Sequence, residues 1–324
     1  MSIMEQITID RLTGLIAFAK AAALGSYSAA ARALAISPSA VSKSIARLEQ
    51  QLGIPLFVRT TRSLRLTHEG EALYERAIRL LQEAEEIQQA AISTRSGPAG
   101  IIRVSAPYPI GVHVLGPALA RFRERHPGLA VDLRIRDQMA DMIAEGIDVA
   151  IRVGDVPDSR LISRRLAPHR ICAFAAPAYL AKRGTPRRPE ELDGHECVNF
   201  RFQSSGQALR WQFSMEGGIV EVAPNAAIVA DVSDVVAAIV IAGGGIGIMP
   251  TYLAAPHVRQ GALVPLMAQY AVNRSNITAL WPESRRASPN VKAFLALLEE
   301  VFAAPPPWDV LVDGFGAQAG DGTG

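Results

Sequence analysis

The sequence predicts an α/β protein with a separate all-α region at its N-terminus. Up to about residue 93, apolar residues recur at helical spacing, with one short hairpin between the helices. From about residue 100, segments rich in β-branched residues alternate with helical segments, which is the pattern of a doubly wound, parallel sheet. The length of 324 residues allows more than one domain, each with its own core.

The composition of the whole chain argues against several classes of protein. The net charge is +2, so the overall charge does not indicate a partner. The two cysteines, Cys172 and Cys197, and the six histidines show no metal-ligand spacing, so we expect reduced thiols, no metal or cofactor, and a cytoplasmic location. The N-terminal segment lacks the apolar core of a signal peptide, and the apolar tract at 235–249 is too short to span a membrane.

Charge is unevenly distributed along the N-terminal region. Seven lysines and arginines lie between Lys20 and Leu66, where Glu49 is the only acid. Between Thr67 and Ala91, six glutamates outnumber two arginines. A basic head followed by an acidic helix favours contact of the head with a polyanion, and an unevenly charged surface in solvent is the alternative.

The segment SPSAVSKSIARLEQQLG predicts one helix with an unusual first turn. Ser37 is a good N-cap, Pro38 suits the first helical position, and Gly53 ends the helix. Short hydroxylated and basic side chains crowd the outer face of the tip, and the inward-facing residues are Val41, Ile45, Leu48 and Leu52. With the short alanine-rich helix before it, this is the pattern of a helix-turn-helix whose second helix enters the major groove of DNA.

A short hairpin follows in LFVRTTRSLRLT. We interpret it as a wing, whose tip residue Arg62 reaches a minor groove or a phosphate; a solvated hairpin charge is the alternative. The candidate DNA contacts of the head and wing are Arg32, Ser37, Pro38, Ser39, Ser42, Lys43, Arg47, Arg59 and Arg62.

Thr67 predicts the start of a long helix, the stalk, in which apolar residues follow a heptad repeat. The linker STRSGPAG follows the stalk, so we expect the heptad seam to pair with a second copy of the chain. The alternative is an amphipathic helix that lies on its own domain. The seam residues are Leu73, Ala77, Leu80, Ala84 and Ile87.

Strands and helices alternate in two sets after Gly100, which predicts two α/β subdomains with two crossovers between them. Ligands in such sheets bind beyond the carboxyl ends of strands. The residues at four strand ends are therefore candidate ligand contacts: Ser105, Ala106, Arg152, Val153, Phe200, Arg201, Asp231 and Ser233. Simpler roles compete, namely helix capping for Ser105 and Asp231, a hinge ion pair for Arg152, and a solvent position for Arg201. The mixture of arginine and phenylalanine indicates an aromatic or carboxylated ligand.

No catalytic arrangement is recognisable in the sequence. The segment GGGIGIMP lacks the Gly-Lys-Ser/Thr ending of a phosphate loop, so we expect tight helix-to-strand packing there. Four histidines, at 113, 126, 195 and 257, have no carboxylate at a motif spacing, which predicts surface or capping roles. The tail PPPWDVLVDGFGAQAGDGTG is rich in proline and glycine and is predicted to be mobile.

The segment GSYSAAARALAISPSAVSKSIARLEQQLGIPLFVRTTRSLRLTHEG resembles the winged helix-turn-helix of LysR-type transcriptional regulators. The stretches SAP, DVAIRVG, RRLAP and GGGIGIMP resemble the effector domain of the same family. The resemblance implies double-stranded DNA as a partner, a homodimer or homotetramer, RNA polymerase as a further candidate partner, and a periplasmic-binding-protein-like domain whose effector contacts Ser105. Pro38 and Ser44 stand where many members have glutamine, so the DNA sequence that is read does not follow from the resemblance.

The predicted organisation has five segments: a DNA-binding domain at 1–66, a dimerisation helix at 67–93, a hinge at 94–100, an effector-binding domain at 101–302 and a tail at 303–324. Subdomain I comprises about 101–165 and 272–302, and subdomain II about 166–271. The predicted function is sequence-specific transcriptional regulation, without catalysis, controlled by a small molecule bound between the subdomains. The alternative is an α/β solute-binding or enzymatic protein with an N-terminal interaction module.

Overall fold

The computed structural model of the chain describes residues 9–59, 64–78, 80–81, 84, 97–136, 142, 145–154 and 161–320. These residues form two compact units. The first contains the chain up to Ser96 and the segment Asp141–Ile147, and the second, here the large unit, contains Gly97–Ala140 and the chain from Asp148 onward. Among these residues, no helix is long and apolar enough to cross a membrane.

The N-terminal unit combines helices with one hairpin. Its elements are α1 (Ile9–Leu24), α2 (Tyr27–Leu34), α3 (Pro38–Leu52), the hairpin of β1 (Phe57–Arg59) and β2 (Leu64–Leu66), and a helix over 68–78, here α4. Phe18 is fully buried at the centre, and its ring centroid lies 5.4 Å from that of Phe57. Three of the four residues predicted to face inward from α3 are buried in this core, whereas Leu52 is 40% exposed because it is the last residue of the helix.

The start of the predicted stalk seam is covered by its own chain. Ala77 is 2% exposed, and it packs in the head core together with the half-buried Leu73. The alternative, a helix lying on its own domain, therefore describes the beginning of α4. Leu80 and Ala84 are exposed, so pairing with a second copy stays a prediction for these two, and Ile87 lies outside the described residues.

The large unit is built on one mixed nine-stranded sheet. From edge to edge its strands are β10 (Ala226–Ala230), β7 (Cys197–Phe200), β11 (Ile246–Pro250), β6 (Leu161–Ala175), β13 (Val272–Pro282), β5 (Val149–Val153), β3 (Gly100–Ala106) and β4 (Leu129–Ile135), and β12 (Val264–Leu266) also pairs with β6. A separate hairpin joins β8 (Trp211–Met215) to β9 (Gly218–Val222).

The sheet is parallel at both ends and antiparallel in the middle. β3 pairs in parallel with β4 and β5, and β7 pairs in parallel with β10 and β11. The long strands β6 and β13 run between these two halves and pair antiparallel with each other. The predicted parallel pairing is confirmed in both halves of the sheet. It does not extend to the two long strands at the centre, because a strand that returns from one half to the other must run against the strand that came across.

Helices cover the sheet of the large unit. They are α5, made of the consecutive segments Tyr108–Ile110, the π-helical Gly111–Leu115 and Gly116–Arg125, then α6 (Pro177–Arg183), α7 (Ser233–Ile241), α8 (Thr251–Arg259), α9 (Pro289–Val301) and α10 (Pro307–Gly320). The helix α8 and the strand β12 have no counterpart in the sequence prediction. The helix α8 is not predicted from the sequence because Pro256 lies inside it, and proline is disfavoured at helix interiors.

The C-terminal segment forms the helix α10, so the predicted mobile tail is wrong for 307–320. Val312 is fully buried in the core of the large unit. Arg170 donates to both carboxylate oxygens of Asp313, at 2.9 and 2.7 Å. The sequence does contain apolar residues at helical spacing here, but the surrounding glycines and prolines favour the prediction of a mobile segment. The apolar residues that pack on the core are Trp308, Leu311, Val312 and Phe315.

The segment GGGIGIMP makes the tight helix-to-strand joint that the sequence predicts. Gly245 has a φ of +139°, and a Cβ added to it would lie 2.4 Å from the carbonyl oxygen of Glu196. A Cβ added to Gly247, in β11, would lie 2.7 Å from Cγ2 of Val240 in α7. Only glycine allows both approaches.

Cys172 and Cys197 are free and buried, as predicted. Burial raises the pKa of the Cys172 thiol to about 12 and that of the Cys197 thiol to about 11.

Candidate functional sites

The tip of α3 is built as the sequence predicts. The hydroxyl of Ser37 caps the helix by accepting from the backbone N–H of Ala40 at 3.1 Å, and it lies 2.9 Å from the hydroxyl of Ser39. Pro38 occupies the first turn. Gly53 ends the helix with a φ of +71°, a left-handed conformation that suits glycine.

The predicted DNA contacts of the head lie on its surface. Ser42 is half-buried, and the exposed residues are Arg32, Ser37, Pro38, Ser39, Lys43 and Arg47. In the hairpin, Arg59 pairs with Leu64, and the turn that carries Arg62 lies outside the described residues. The head therefore presents hydroxyl groups and cations around the N-terminal end of α3, which is an anion-attracting end of a helix.

Glu49 connects α3 to the wing, a role that no local sequence pattern reveals. One oxygen of its carboxylate accepts from the backbone N–H groups of Leu56, at 2.8 Å, and Phe57, at 3.3 Å. Thr67 fixes the other side of the hairpin, since its hydroxyl donates to the carbonyl of Pro55 and caps α4 by accepting from Gly70. The only acid of the basic head is thus used to position its β-hairpin.

Ser105 and Arg152 come together inside the sheet of the large unit. Arg152 Nη2 donates to Ser105 Oγ at 2.9 Å, and Nη1 donates to the carbonyl of Ile151 at 2.7 Å. Ser105 is 1% exposed and lies within β3, so it does not cap a helix. The other two predicted contacts here, Ala106 and Val153, are buried and half-buried.

A pocket opens beside the carboxyl ends of β7 and β11 and the start of α7, and its empty space of about 470 Å³ includes part of the open solvent at its mouth. This is the position that the topology of an open α/β sheet favours for a ligand. Its polar lining consists of His169, Ser233 and Arg274, and its apolar lining includes Ile171, Phe200, Phe202, Leu209, Val236 and Met249.

The pocket contains two of the eight predicted ligand contacts, Phe200 and Ser233. Arg201 and Asp231 are exposed and do not line it. Successive side chains of an extended segment point to opposite sides, so Phe200 and Phe202 face the pocket while Arg201 faces away. The pair around Ser105 does not line it either, so a ligand contact there stays a prediction.

The two basic groups in the pocket differ in exposure, since His169 is buried and Arg274 is exposed. Desolvation, with a smaller contribution from the charge of Arg274, lowers the pKa of His169 to about 4, so its ring is neutral at pH 7. Desolvation also lowers the pKa of Arg274, which nevertheless stays a cation. The guanidinium of Arg274 lies 5.5 Å from the ring centroid of Phe202 and donates to the carbonyl of Arg210 at 3.5 Å.

Two histidines have partners that the sequence does not reveal. His113 Nε2, in α5, lies 2.7 Å from Asp234 Oδ1, in α7. His195 Nδ1 lies 3.1 Å from the hydroxyl of Tyr179. The prediction of a surface or capping role is wrong for His113, because its carboxylate comes from 121 residues away and no motif spacing shows it. Within the described ranges, no cluster of His, Cys, Asp and Glu is arranged to hold a metal ion.

Comparison with known families assigns both units. The family described as "LysR substrate binding domain" matches residues 95–303, and the family described as "Bacterial regulatory helix-turn-helix protein, lysR family" matches residues 12–71. The chain belongs to the LysR family of transcriptional regulators. The LysR substrate binding domain match ends at residue 303, before α10 begins at Pro307.

Relatives of this LysR-family chain are similar over most of their length. The regulator CrgA of Neisseria meningitidis is 32% identical over 288 residues, which are 88% of this chain and 95% of CrgA. The transcriptional activator AaeR of Escherichia coli is 29% identical over 294 residues, which are 91% of this chain and 94% of AaeR. The solved structure of CrgA covers 91% of this chain and 99% of its own, with a TM-score of 0.58. The fold is also that of a full-length OxyR from Pseudomonas aeruginosa, which is 17% identical. The TM-score is 0.65, over 92% of this chain and 95% of the OxyR chain.

Proposed function

We propose that this LysR-family protein binds specific DNA sites through its N-terminal unit and alters transcription when a small molecule binds to its large unit. The tip of α3 supports this most directly, because exposed serines surround a capped helix N-terminus next to Lys43 and Arg47. Such a tip can donate to phosphates and base edges, and its cations add affinity that decreases with salt. The proposed function involves no catalysis, in keeping with the names of the relatives. We also propose a cytoplasmic location.

The pocket supplies the proposed control. His169 lies on β6 and Arg274 on β13, so a ligand there contacts both strands that run between the halves of the sheet. A ligand that binds one arrangement of these strands better than another shifts their population. In an oligomer this changes the spacing of two DNA-binding heads, and with it the bending of the DNA.

We further propose that the protein acts as a homodimer or homotetramer. The two edge strands of the large sheet expose apolar side chains, with Ile135 on β4 at 39% and Val229 on β10 at 41%. Exposed apolar edges tend to associate, and two heads are needed to occupy two half-sites. Sedimentation equilibrium should give twice or four times the chain mass of 34.6 kDa, and a monomer at micromolar concentration would contradict the proposal.

The test of DNA binding is selection from random duplex pools at two salt concentrations, followed by sequencing of the retained DNA. We expect enrichment of a roughly palindromic motif. Lys43→Gln should weaken binding to the selected DNA and reduce the salt slope by about one unit, because one phosphate contact is lost. Lys182→Gln is the matched control, since this exposed lysine lies on α6 of the large unit.

Retention without an enriched motif would leave a nonspecific DNA binder. No retention at low salt, together with small-molecule binding or turnover, would favour the alternative of a solute-binding or enzymatic protein with an N-terminal interaction module.

A further inference from the structure

We infer that the pocket of the large unit binds a small aromatic monocarboxylate, with its acid group at Arg274 and a second polar group at His169. The inference rests on the proposed function, because it names the ligand class of the site through which that function is controlled. It assigns the acid-binding role to an arginine on β13 instead of Arg152 or Arg201, the two arginines among the candidates predicted from the sequence.

The strand β13 is irregular where Arg274 lies. Asn273 pairs with Arg170 and Ser275 pairs with His169, so Arg274 has no opposite residue in the register with β6. A bulge of this kind inserts one extra residue and re-aims its side chain, and bulges are frequent beside functional sites. The bulge places the guanidinium at the pocket, next to the register position of His169.

Arg274 is the one charged side chain among the described residues that line the pocket. No carboxylate in the described part of the chain lies within 4.0 Å of it, and the nearby Glu221 accepts instead from Gln212 at 2.8 Å. Arg274 is exposed as a residue, but desolvation of its guanidinium outweighs the opposite charge of Glu221. Such a cation at the wall of a pocket favours an anionic ligand and disfavours an amine. Its planar fork matches the two oxygens of a carboxylate.

His169 limits the ligand to one negative charge. The ring is neutral at pH 7, so it adds a hydrogen-bonding group to the pocket and no second cation. Its Nδ1 is buried without a hydrogen-bond partner among the described residues, which is costly unless something occupies that position. Because this nitrogen is enclosed, a ligand hydroxyl group, or the second oxygen of the acid, would supply the missing partner together with a small rotation of the ring.

The remaining walls favour an aromatic body. The rings of Phe200 and Phe202 are perpendicular, with centroids 5.3 Å apart, and both line the pocket. An aromatic ligand can add a further edge-to-face or stacked contact to such a pair. Ile171, Val236 and Met249 complete the apolar surface. A ligand with a polar body would leave its hydrogen bonds unmade against these walls.

The test is calorimetric titration of the full-length protein with 4-hydroxybenzoate, benzoate, benzamide and benzylamine. We expect the two carboxylates to bind, and to bind at least tenfold more tightly than the neutral and cationic probes. Arg274→Gln should weaken carboxylate binding about tenfold or more, and Arg274→Lys less, because lysine keeps the charge and loses the fork. Arg201→Gln is the matched control, because it removes one arginine from the same region outside the pocket, and it should bind like the wild type.

The inference is overturned if neither carboxylate binds at millimolar concentration, if benzamide binds as tightly as benzoate, or if Arg201→Gln weakens binding as much as Arg274→Gln. Circular dichroism of each variant shows that it is folded. The duplex selection is performed on the same preparations, so a protein that selects a DNA motif but binds no carboxylate retains the proposed function and loses this inference.

Discussion

The guanidinium of Arg152 donates a 2.9 Å hydrogen bond to the hydroxyl of Ser105, and both side chains are almost completely buried. The contact joins two neighbouring strands, β5 and β3, through their side chains as well as their backbones. It makes Ser105 a structural partner of a buried cation, whatever else it contacts.

Ser105→Ala should therefore destabilise the large unit. The substitution removes one acceptor of a buried guanidinium, which costs about 1–3 kcal/mol of unfolding free energy. The three tryptophans, at 211, 281 and 308, all lie in the large unit, so urea unfolding followed by tryptophan fluorescence reports on this unit alone. The exposed Ser214 provides the control: Ser214→Ala should leave the midpoint unchanged, and equal midpoints for both variants would contradict the role of Ser105.

Gly70→Ala should disrupt the head while sparing the large unit. A Cβ at this position would lie 2.2 Å from the backbone oxygen of Leu56, so α4 and the hairpin must move apart. We expect faster amide exchange in 64–78 and weaker DNA binding. Gly194→Ala, where nothing lies within 4 Å of the added Cβ, should change neither. Unchanged exchange in the Gly70 variant would show that the two backbones can separate without cost.

The buried His169 should make stability depend on pH. Its pKa is about 4 in the folded protein, against 6.5 for an exposed histidine. Between these values the unfolded chain binds more protons, so the stabilisation is complete above pH 6.5 and decreases towards pH 4, by up to about 3 kcal/mol. His169→Phe should flatten this slope in fluorescence-monitored unfolding between pH 7 and about 4.5, and the exposed His68→Gln should not. Equal slopes for the two variants would refute the assignment to His169.

Trp308→Ala should release α10 from the large unit. The Trp308 ring packs between Tyr252 and Phe302, with centroid distances of 6.0 and 5.5 Å. Trp308 is half-buried, so we expect a loss below the roughly 3–5 kcal/mol of fully buried aromatic residues, and proteolytic cleavage within 307–320. Val310→Ala, on the exposed face of the same helix, is the control. Resistance of the Trp308 variant to protease would show that the remaining contacts are sufficient to hold α10 on the large unit.

Neither cysteine should react with a thiol reagent in the native protein. Cys172 and Cys197 are each 2% exposed, and burial raises the pKa of both thiols, so the thiolate is scarce at pH 8. Titration with Ellman's reagent should detect no thiol before unfolding and two after it. One fast-reacting thiol in the folded protein would disagree with the burial of that residue.

The head was predictable because its signals are local. Ser37, Pro38 and Gly53 lie within one helix length, and each acts through its own backbone neighbours. The wing's dependence on Glu49 was not predictable in the same way, because its carboxylate accepts from N–H groups seven and eight residues later, beyond any helix period.

The pocket was only partly predictable for a similar reason. Phe200 and Ser233 follow from the rule that ligands bind at the carboxyl ends of parallel strands. Arg274 does not, because it lies inside a long strand and reaches the pocket through a bulge. A register shift between strands about a hundred residues apart leaves no trace in the local pattern of either strand. The contact between His113 and Asp234 is hidden in the same way, by a separation of 121 residues.

The ladder between β6 and β13 extends from Leu161 opposite Pro282 to Ile171 opposite Val272. The two halves of the sheet are therefore joined by a hydrogen-bonded ribbon, which tolerates rotation about its long axis better than bending, since strand pairs twist naturally. Its hydrogen bonding is already interrupted at the two register shifts, after Asn273 and after Ile277. We expect the two halves of the sheet to rotate relative to each other at these shifts. A ligand held by Arg274 would then lie next to the axis of rotation, where a small displacement corresponds to a large change in the angle between the halves.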